Sequence, residues 1–300
     1  MATWTRREAL RLAAVAGLGG VLGAGRAVGA MKTIARSPAY PAGVLNKGPV
    51  GYWRLGEASG PTVVDESGNG HDGQVFGSPT FGTPGAINDD PDTAVQFHGY
   101  GTRDYVEVPD SEDFSQPTSG QGLTVEVWMR PDFLSFRTES SGYVHWLGKG
   151  MPGQGEWGLR FYTNNPANRP NRVSAYIWNA DTVTYPEGAG AYFQESADHP
   201  LVAGHWIHVV ACYEPGDMDT TPPAGVHIYK NGVHRQGPPS GGTLYRNYQI
   251  VPAHGTAPLR FGTRDRNSFF AGALDEIAIY PRVLTPDEIL ENYYNGILPY

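Results

Sequence analysis

The chain has 300 residues, 40% of them hydrophobic, enough to bury a full core, and all-β sandwiches of this size often remain one domain. Forty glycines and 25 prolines beside only 17% charged residues, with 17 tyrosines and 7 tryptophans, describe many short strands joined by turns. The formal charge of −8 excludes a basic nucleic-acid footprint, and the single cysteine, Cys212, excludes an internal disulfide and a cysteine-based zinc cluster.

Residues 1–30 read as an export signal. Thr5-Arg6-Arg7-Glu8-Ala9-Leu10-Arg11 is a basic head, Leu12 to Ala24 is apolar, and the small residues Val28 and Ala30 suit cleavage after Ala30. The segment resembles a twin-arginine signal, with Arg6-Arg7 as the pair, which implies a secreted, extracellular protein. Its four arginines and one glutamate carry three net positive charges, so the remainder holds −11. No other stretch is long and apolar enough to cross a bilayer, so no membrane span is expected in the mature protein. Residues 31–46, with Pro38, Pro41 and Gly43, read as a linker, and residues 47–300 as one domain.

From Val50 onward, period-two apolar patterns alternate with turn residues. Leu123, Val125 and Val127 alternate with Thr124, Glu126 and Trp128 until Pro131 ends the strand. Similar runs occur at Gly158 to Tyr162, Val173 to Trp178, Trp206 to Tyr213 and Val226 to Tyr229. Cys212, inside the third of these, reads as a small core residue. Asn231-Gly232 follows as a type I′ hairpin signal, because both central positions need positive φ. Gly272 to Tyr280 is the last long strand. Thr285-Pro286-Asp287-Glu288 then supplies an N-cap, a first-turn proline and acidic residues for a short C-terminal helix ending near Asn295-Gly296. Residues 138–157, 180–204, 214–225 and 236–257 read as extended loops, where binding residues tend to sit.

Taken in order, several of these segments resemble the laminin-G-like, concanavalin A-like jelly rolls of bacterial secreted proteins. The resemblance rests on Tyr52-Trp53-Arg54-Leu55-Gly56-Glu57, the turn Asp65 to Gly73, Pro84-Gly85-Ala86, Ala94 to Phe97, Tyr105 to Pro109 and Leu123 to Pro131. Trp206 to Val210, Ile228 to Gly232 and Leu274 to Tyr280 complete it. It implies an all-β fold, a jelly-roll sandwich of two antiparallel sheets with a short C-terminal helix. It also implies a structural calcium held by Glu57, Asp65, Asn69, Asp72 and Asp275, since calcium takes six to eight oxygens. The same turn residues equally suit an Asx-rich turn in which side chains bond local amides.

Aromatic residues concentrate in the middle third: Trp146, Trp157, Tyr162, Tyr176, Trp178, Tyr185, Tyr192 and Phe193. Such rings stack on sugar faces, and polar neighbours such as Arg160 and Asn179 bond hydroxyls. The candidate ligand-binding set is therefore Trp146, Trp157, Arg160, Tyr162, Tyr176, Trp178 and Asn179, against core filling as the alternative. Tyr176 and Trp178 share one face of their strand and Ile177 points to the other, so the orientation of Ile177 decides between the two. No E-x-D occurs in the chain, so the three-carboxylate strand of laminarinase-type glucanases is missing. Asp275 and Glu276 are adjacent and expected on opposite faces. The expected function is a non-catalytic binding module for an extracellular glycan. A carbohydrate-active enzyme, a glycoside hydrolase or lyase, and a module recognising a cell-surface protein stand beside it.

Overall fold

The structure is a computed structural model and describes residues 40–115, 122–134, 143–162, 172–178, 188–194, 201–214, 225–235, 241–244 and 254–298. The expected export signal and most of the expected linker lie outside them. In chain order the elements begin with helix α1 (Tyr40–Leu45) and strands β1 (Gly51–Trp53), β2 (Thr62–Val63), β3 (Gly73–Phe76), β4 (Thr80–Pro84), β5 (Thr93–His98), β6 (Tyr105–Val108) and β7 (Leu123–Pro131). Next come β8 (Tyr143–Met151), β9 (Gln154–Tyr162), β10 (Arg172–Ile177), β11 (Ala189–Gln194), β12 (Ile207–Glu214), β13 (Gly225–Lys230) and β14 (Val233–His234). β15 (Gly241–Leu244), β16 (Leu259–Phe261), β17 (Ala271–Tyr280) and helix α2 (Pro286–Ile297) complete the set.

These strands form two antiparallel sheets. One has eight strands in the order β14-β13-β12-β7-β17-β5-β4, with β1 also on β17, and the other has nine, β15-β11-β10-β9-β8-β16-β6-β3-β2. Residues with period-two spacing meet between them: Val125 and Val127 of β7, Val209 and Ala211 of β12, Leu159 and Phe161 of β9, and Val173 and Ile177 of β10.

The outer face of the eight-stranded sheet is also buried. Trp128, Val210, Cys212, Ala278 and Tyr280 form a second core with Tyr40 and Val44 of α1 and Ile289 of α2. At its centre the Glu126 carboxylate accepts hydrogen bonds from the Tyr40 hydroxyl (3.0 Å), the Tyr280 hydroxyl (2.8 Å) and Asn292 Nδ2 (2.8 Å), and pairs with His208 Nε2 at 2.7 Å. Residues 40–45 thus belong to the packed domain and not to a linker: the apolar side of YPAGVL supplies what the sheet's outer face needs. Burial pushes the Cys212 thiol up to about 12, in keeping with an inert core thiol.

Three segments read as loops contain strands. β8 and the start of β9 lie in 138–157, β11 in 180–204 and β15 in 236–257. The alternation in β8 is concealed by a register shift between His145 and Leu147 and by the buried Lys149, held by Glu156 (2.5 Å) and Asp110 (2.6 Å). The hairpin signal holds: Asn231 and Gly232 have φ of 53° and 75°, and Lys230 pairs with Val233.

Candidate functional site

Ile177 lies in the core between the sheets, so Tyr176 and Trp178 share the outer face of the nine-stranded sheet. Pairing builds a row across four strands on that face: His145 opposite Arg160, Arg160 opposite Ser174, and Ser174 opposite Tyr192. Beside it Tyr143 faces Tyr162 and Arg172 faces Gln194. A third row runs Gly148, Gly158, Tyr176, Gly190.

The glycines of that third row make room for large side chains lying flat on the sheet. A Cβ at Gly158 would stand 2.9 Å from the Tyr176 hydroxyl oxygen, and one at Gly148 would stand 3.1 Å from Arg264 Cγ. A Cβ at Gly155 would meet the Trp178 ring at 3.0 Å. Tyr176 therefore reaches across β9, where its hydroxyl meets the Arg264 guanidinium in a short hydrogen bond, and Arg264 Nη2 holds Asp265 at 2.7 Å.

Guanidinium groups and rings alternate over this face. Arg160 lies 4.2 Å from the Tyr143 ring centre, 4.6 Å from that of Tyr176 and 5.3 Å from that of Tyr162, with Nε bonded to Ser174 Oγ at 3.2 Å. Arg172 lies 3.8 Å from the Tyr192 ring centre and bonds Gln194 Oε1 through Nε (3.0 Å) and Nη2 (2.6 Å). Tyr176 and Trp178 meet edge to face at 5.6 Å. Burial, and then Arg264 and Arg160, hold His145 well below the usual imidazole range, so it is neutral at pH 7. Burial raises the Tyr176 phenol. Arg160, Tyr162, Tyr176 and His145 are buried, while Tyr143, Arg172, Trp178 and Tyr192 are half-buried. The second group is the accessible one, and the first fixes its positions.

Of the residues expected to bind ligand, Arg160, Tyr162, Tyr176 and Trp178 come together here. Trp146 and Trp157 do not: both are fully buried in the core between the sheets, and Trp157 Nε1 donates to the Phe114 carbonyl at 2.7 Å. Strand parity puts Trp157 with Leu159 and Phe161, opposite to Arg160 and Tyr162. Asn179 lies outside the described residues. His145, Arg172, Arg264 and Asp265 were not singled out in the sequence, although glycine opposite glycine beside a tyrosine-bearing strand is the signal that a large side chain crosses there.

The residues nominated for calcium form no single shell. Asp65 Oδ1 accepts from the Tyr52 and Ser67 amides (both 2.9 Å) and Oδ2 from the His71 amide (3.0 Å); these bonds outweigh burial and hold its carboxyl below the usual range. Asp72 Oδ1 accepts from the Asp65 amide at 2.9 Å, and Asn69 Nδ2 donates to the Val50 carbonyl at 3.0 Å. Glu57 Oε1 accepts from the Val64 amide at 2.8 Å. Asp275 Oδ2 is bonded to the Ala86 amide at 2.7 Å. The turn oxygens serve local amides, as in an Asx-rich turn, and among the described residues no group of three or more His, Cys, Asp or Glu is arranged to hold a metal ion. Two oxygens of the nominated set, Glu57 Oε2 and Asp275 Oδ1, are buried without a hydrogen-bond partner.

Residues 100–290 match the family model described as the concanavalin A-like lectin/glucanases superfamily. The chain belongs to this superfamily. Among solved structures that share the concanavalin A-like fold is the binding domain of Paraclostridial Mosquitocidal Protein 1, at TM-score 0.56 and 16% identity over 83% of this chain and 52% of that one. The binding domain of botulinum neurotoxin DC, solved with SialylT and with rat synaptotagmin II, gives TM-score 0.55 and 12% identity in each case, again over 83% and 52%. The chain spans about half the length of these solved chains. Comparison with curated protein sequences finds no match.

Proposed function

We propose that this protein is a secreted, non-catalytic binding module that takes a glycan on the outer face of its nine-stranded sheet. The carrying observation is the layer of Tyr143, Arg160, Tyr162, Arg172, Tyr176, Trp178 and Tyr192 on that face, in which Tyr176 lies over Gly158 and Trp178 over Gly155. Half-buried rings present apolar faces to sugar C–H groups. The sandwiches of the neurotoxin binding domain, solved with SialylT, lend the reading support at the level of fold. Export is supported by the twin-arginine-like leader.

The test is a glycan array combined with a product assay on the purified protein. Saturable binding without product is expected, weakened about tenfold by Trp178→Ala, the loss of one stacking ring. Released product would make the protein a carbohydrate-active enzyme. Silence on the array together with saturable capture of a cell-surface protein would make it a protein-recognition module.

A further inference from the structure

Beside the bulge of β17 in the eight-stranded sheet, Arg54 follows β1 and enters a group of carboxylates. Its Nη2 lies 3.0 Å from Asp90 Oδ2, 3.0 Å from Asp92 Oδ2 and 2.8 Å from Glu276 Oε1, and its Nε donates to Glu276 Oε1 at 3.0 Å. Glu276 also accepts a short hydrogen bond from the Tyr52 hydroxyl. Three carboxylate oxygens thus converge on one nitrogen, a few tenths of an ångström beyond the about 2.3–2.6 Å of calcium–oxygen contacts. Asp275 adjoins the group, buried, with Oδ1 lacking a hydrogen-bond partner.

The surrounding backbone is shaped to gather these groups. A Cβ at Gly56 would stand 1.7 Å from Asp92 Oδ1, and one at Gly85 would stand 2.7 Å from the Asp92 carbonyl oxygen and 3.1 Å from Asp275 Oδ2. Leu55, Asp89 and Glu276 take left-handed φ values of 63°, 60° and 52°, each a conformation that costs about 1 kcal/mol or more outside glycine. Such strain persists where the contacts around it over-determine the geometry.

We propose that Arg54 is a resident cation. Its guanidinium ties the end of β1 to the segment 89–92 and to the bulge of β17, a task open to a divalent ion in its absence, so that the fold holds without calcium. A planar guanidinium keeps its charge at any working pH and serves several carboxylates at once, whereas an ion would need six or more oxygens free of other duties. With Arg54 in place, no group of three or more His, Cys, Asp or Glu among the described residues is arranged for a metal ion. Its removal leaves the oxygens of Asp90, Asp92 and Glu276 facing one centre with Asp275 alongside, where a hard divalent cation is expected to enter.

Thermal unfolding of the full chain in EDTA and in a calcium chloride titration tests this. The parent protein is expected to melt at the same temperature in both. Arg54→Ala is expected to melt roughly 5–15 °C lower in EDTA and to regain much of that loss, saturably, as calcium is added. Arg54→Gln, which preserves more of the side-chain volume, is expected to do the same and serves if the alanine variant fails to fold. A saturable rise in the parent's melting temperature with calcium would overturn the proposal. So would neutral variants that melt like the parent in EDTA, or that are destabilised without any calcium response.

Discussion

Glu276 and Glu126 are both buried carboxylates, yet their surroundings act on them in opposite senses. Burial pushes Glu276 up from 4.5 to about 7, against the pull of Arg54 and of the Tyr52 hydrogen bond. Its proton is lost from the unfolded chain first, so its contribution to stability is complete below about pH 4.5 and disappears as pH rises toward 7. Glu126 is held below its ordinary value, because His208, Tyr280 and Asn292 outweigh burial; its contribution is present above 4.5 and lost as pH falls. Glu276→Gln is therefore expected to flatten the decline in urea stability between about pH 4.5 and 7, an effect on the order of 3 kcal/mol at most, while leaving the acid limb set by Glu126 in place. The pair Asp275-Glu276 also shows where residue-level reading stops. Adjacent strand residues face opposite ways only while the register is regular. Between Asp275 and Ala278 it shifts, Glu276 turns left-handed, and both carboxyl groups come within the influence of Arg54 and Asp92.

Among the elements, β9 and β10 carry the candidate site, and their readable part is parity. The alternation Val173, Ala175, Ile177 against Ser174, Tyr176, Trp178 assigned faces correctly once Ile177 was found in the core. The same rule, applied to Trp157 with Leu159 and Phe161, would have removed that tryptophan from the ligand set. What parity does not carry is the partner strand: that Gly158 lies beneath Tyr176, or Gly148 beneath Arg264, depends on a register that only long-range pairing sets. Gly158→Ala tests the arrangement, since its Cβ must displace the Tyr176 hydroxyl 2.9 Å away. Expected are a loss of about 1–3 kcal/mol in stability and a larger loss of glycan binding than of folding, read by calorimetry and array titration. Helix α2 was legible almost completely, because its signals are local: Thr285 Oγ1 accepts from the Glu288 amide at 3.3 Å, and Glu288 Oε2 accepts from the Thr285 amide at 2.8 Å.

For the whole molecule, the concanavalin A-like sandwich was legible from the order of its strand segments, whereas its second core was not. The outward residues of β7, β12 and β17, Trp128, Val210, Cys212, Ala278 and Tyr280, are apolar but have no evident partner until α1 and α2 are placed over them, and YPAGVL is too short to announce itself as a helix. A chain beginning at Asn46 would lose the Tyr40 bond to Glu126 and bare the apolar surface of Trp128. It is expected to melt several degrees lower, with increased binding of a hydrophobic dye. The helices also give the sandwich a back and a front. Both helices lie on the back, joined by the ion pair of Lys47 and Glu291 (3.0 Å), with both sheets between them and the Tyr/Arg layer. A label, a bead or a second module attached at an exposed position of α2, such as Asp287, would leave the opposite side unobstructed. Copies anchored this way on one support would all present the same face outward, and their grip on a repeating polymer would multiply with their density.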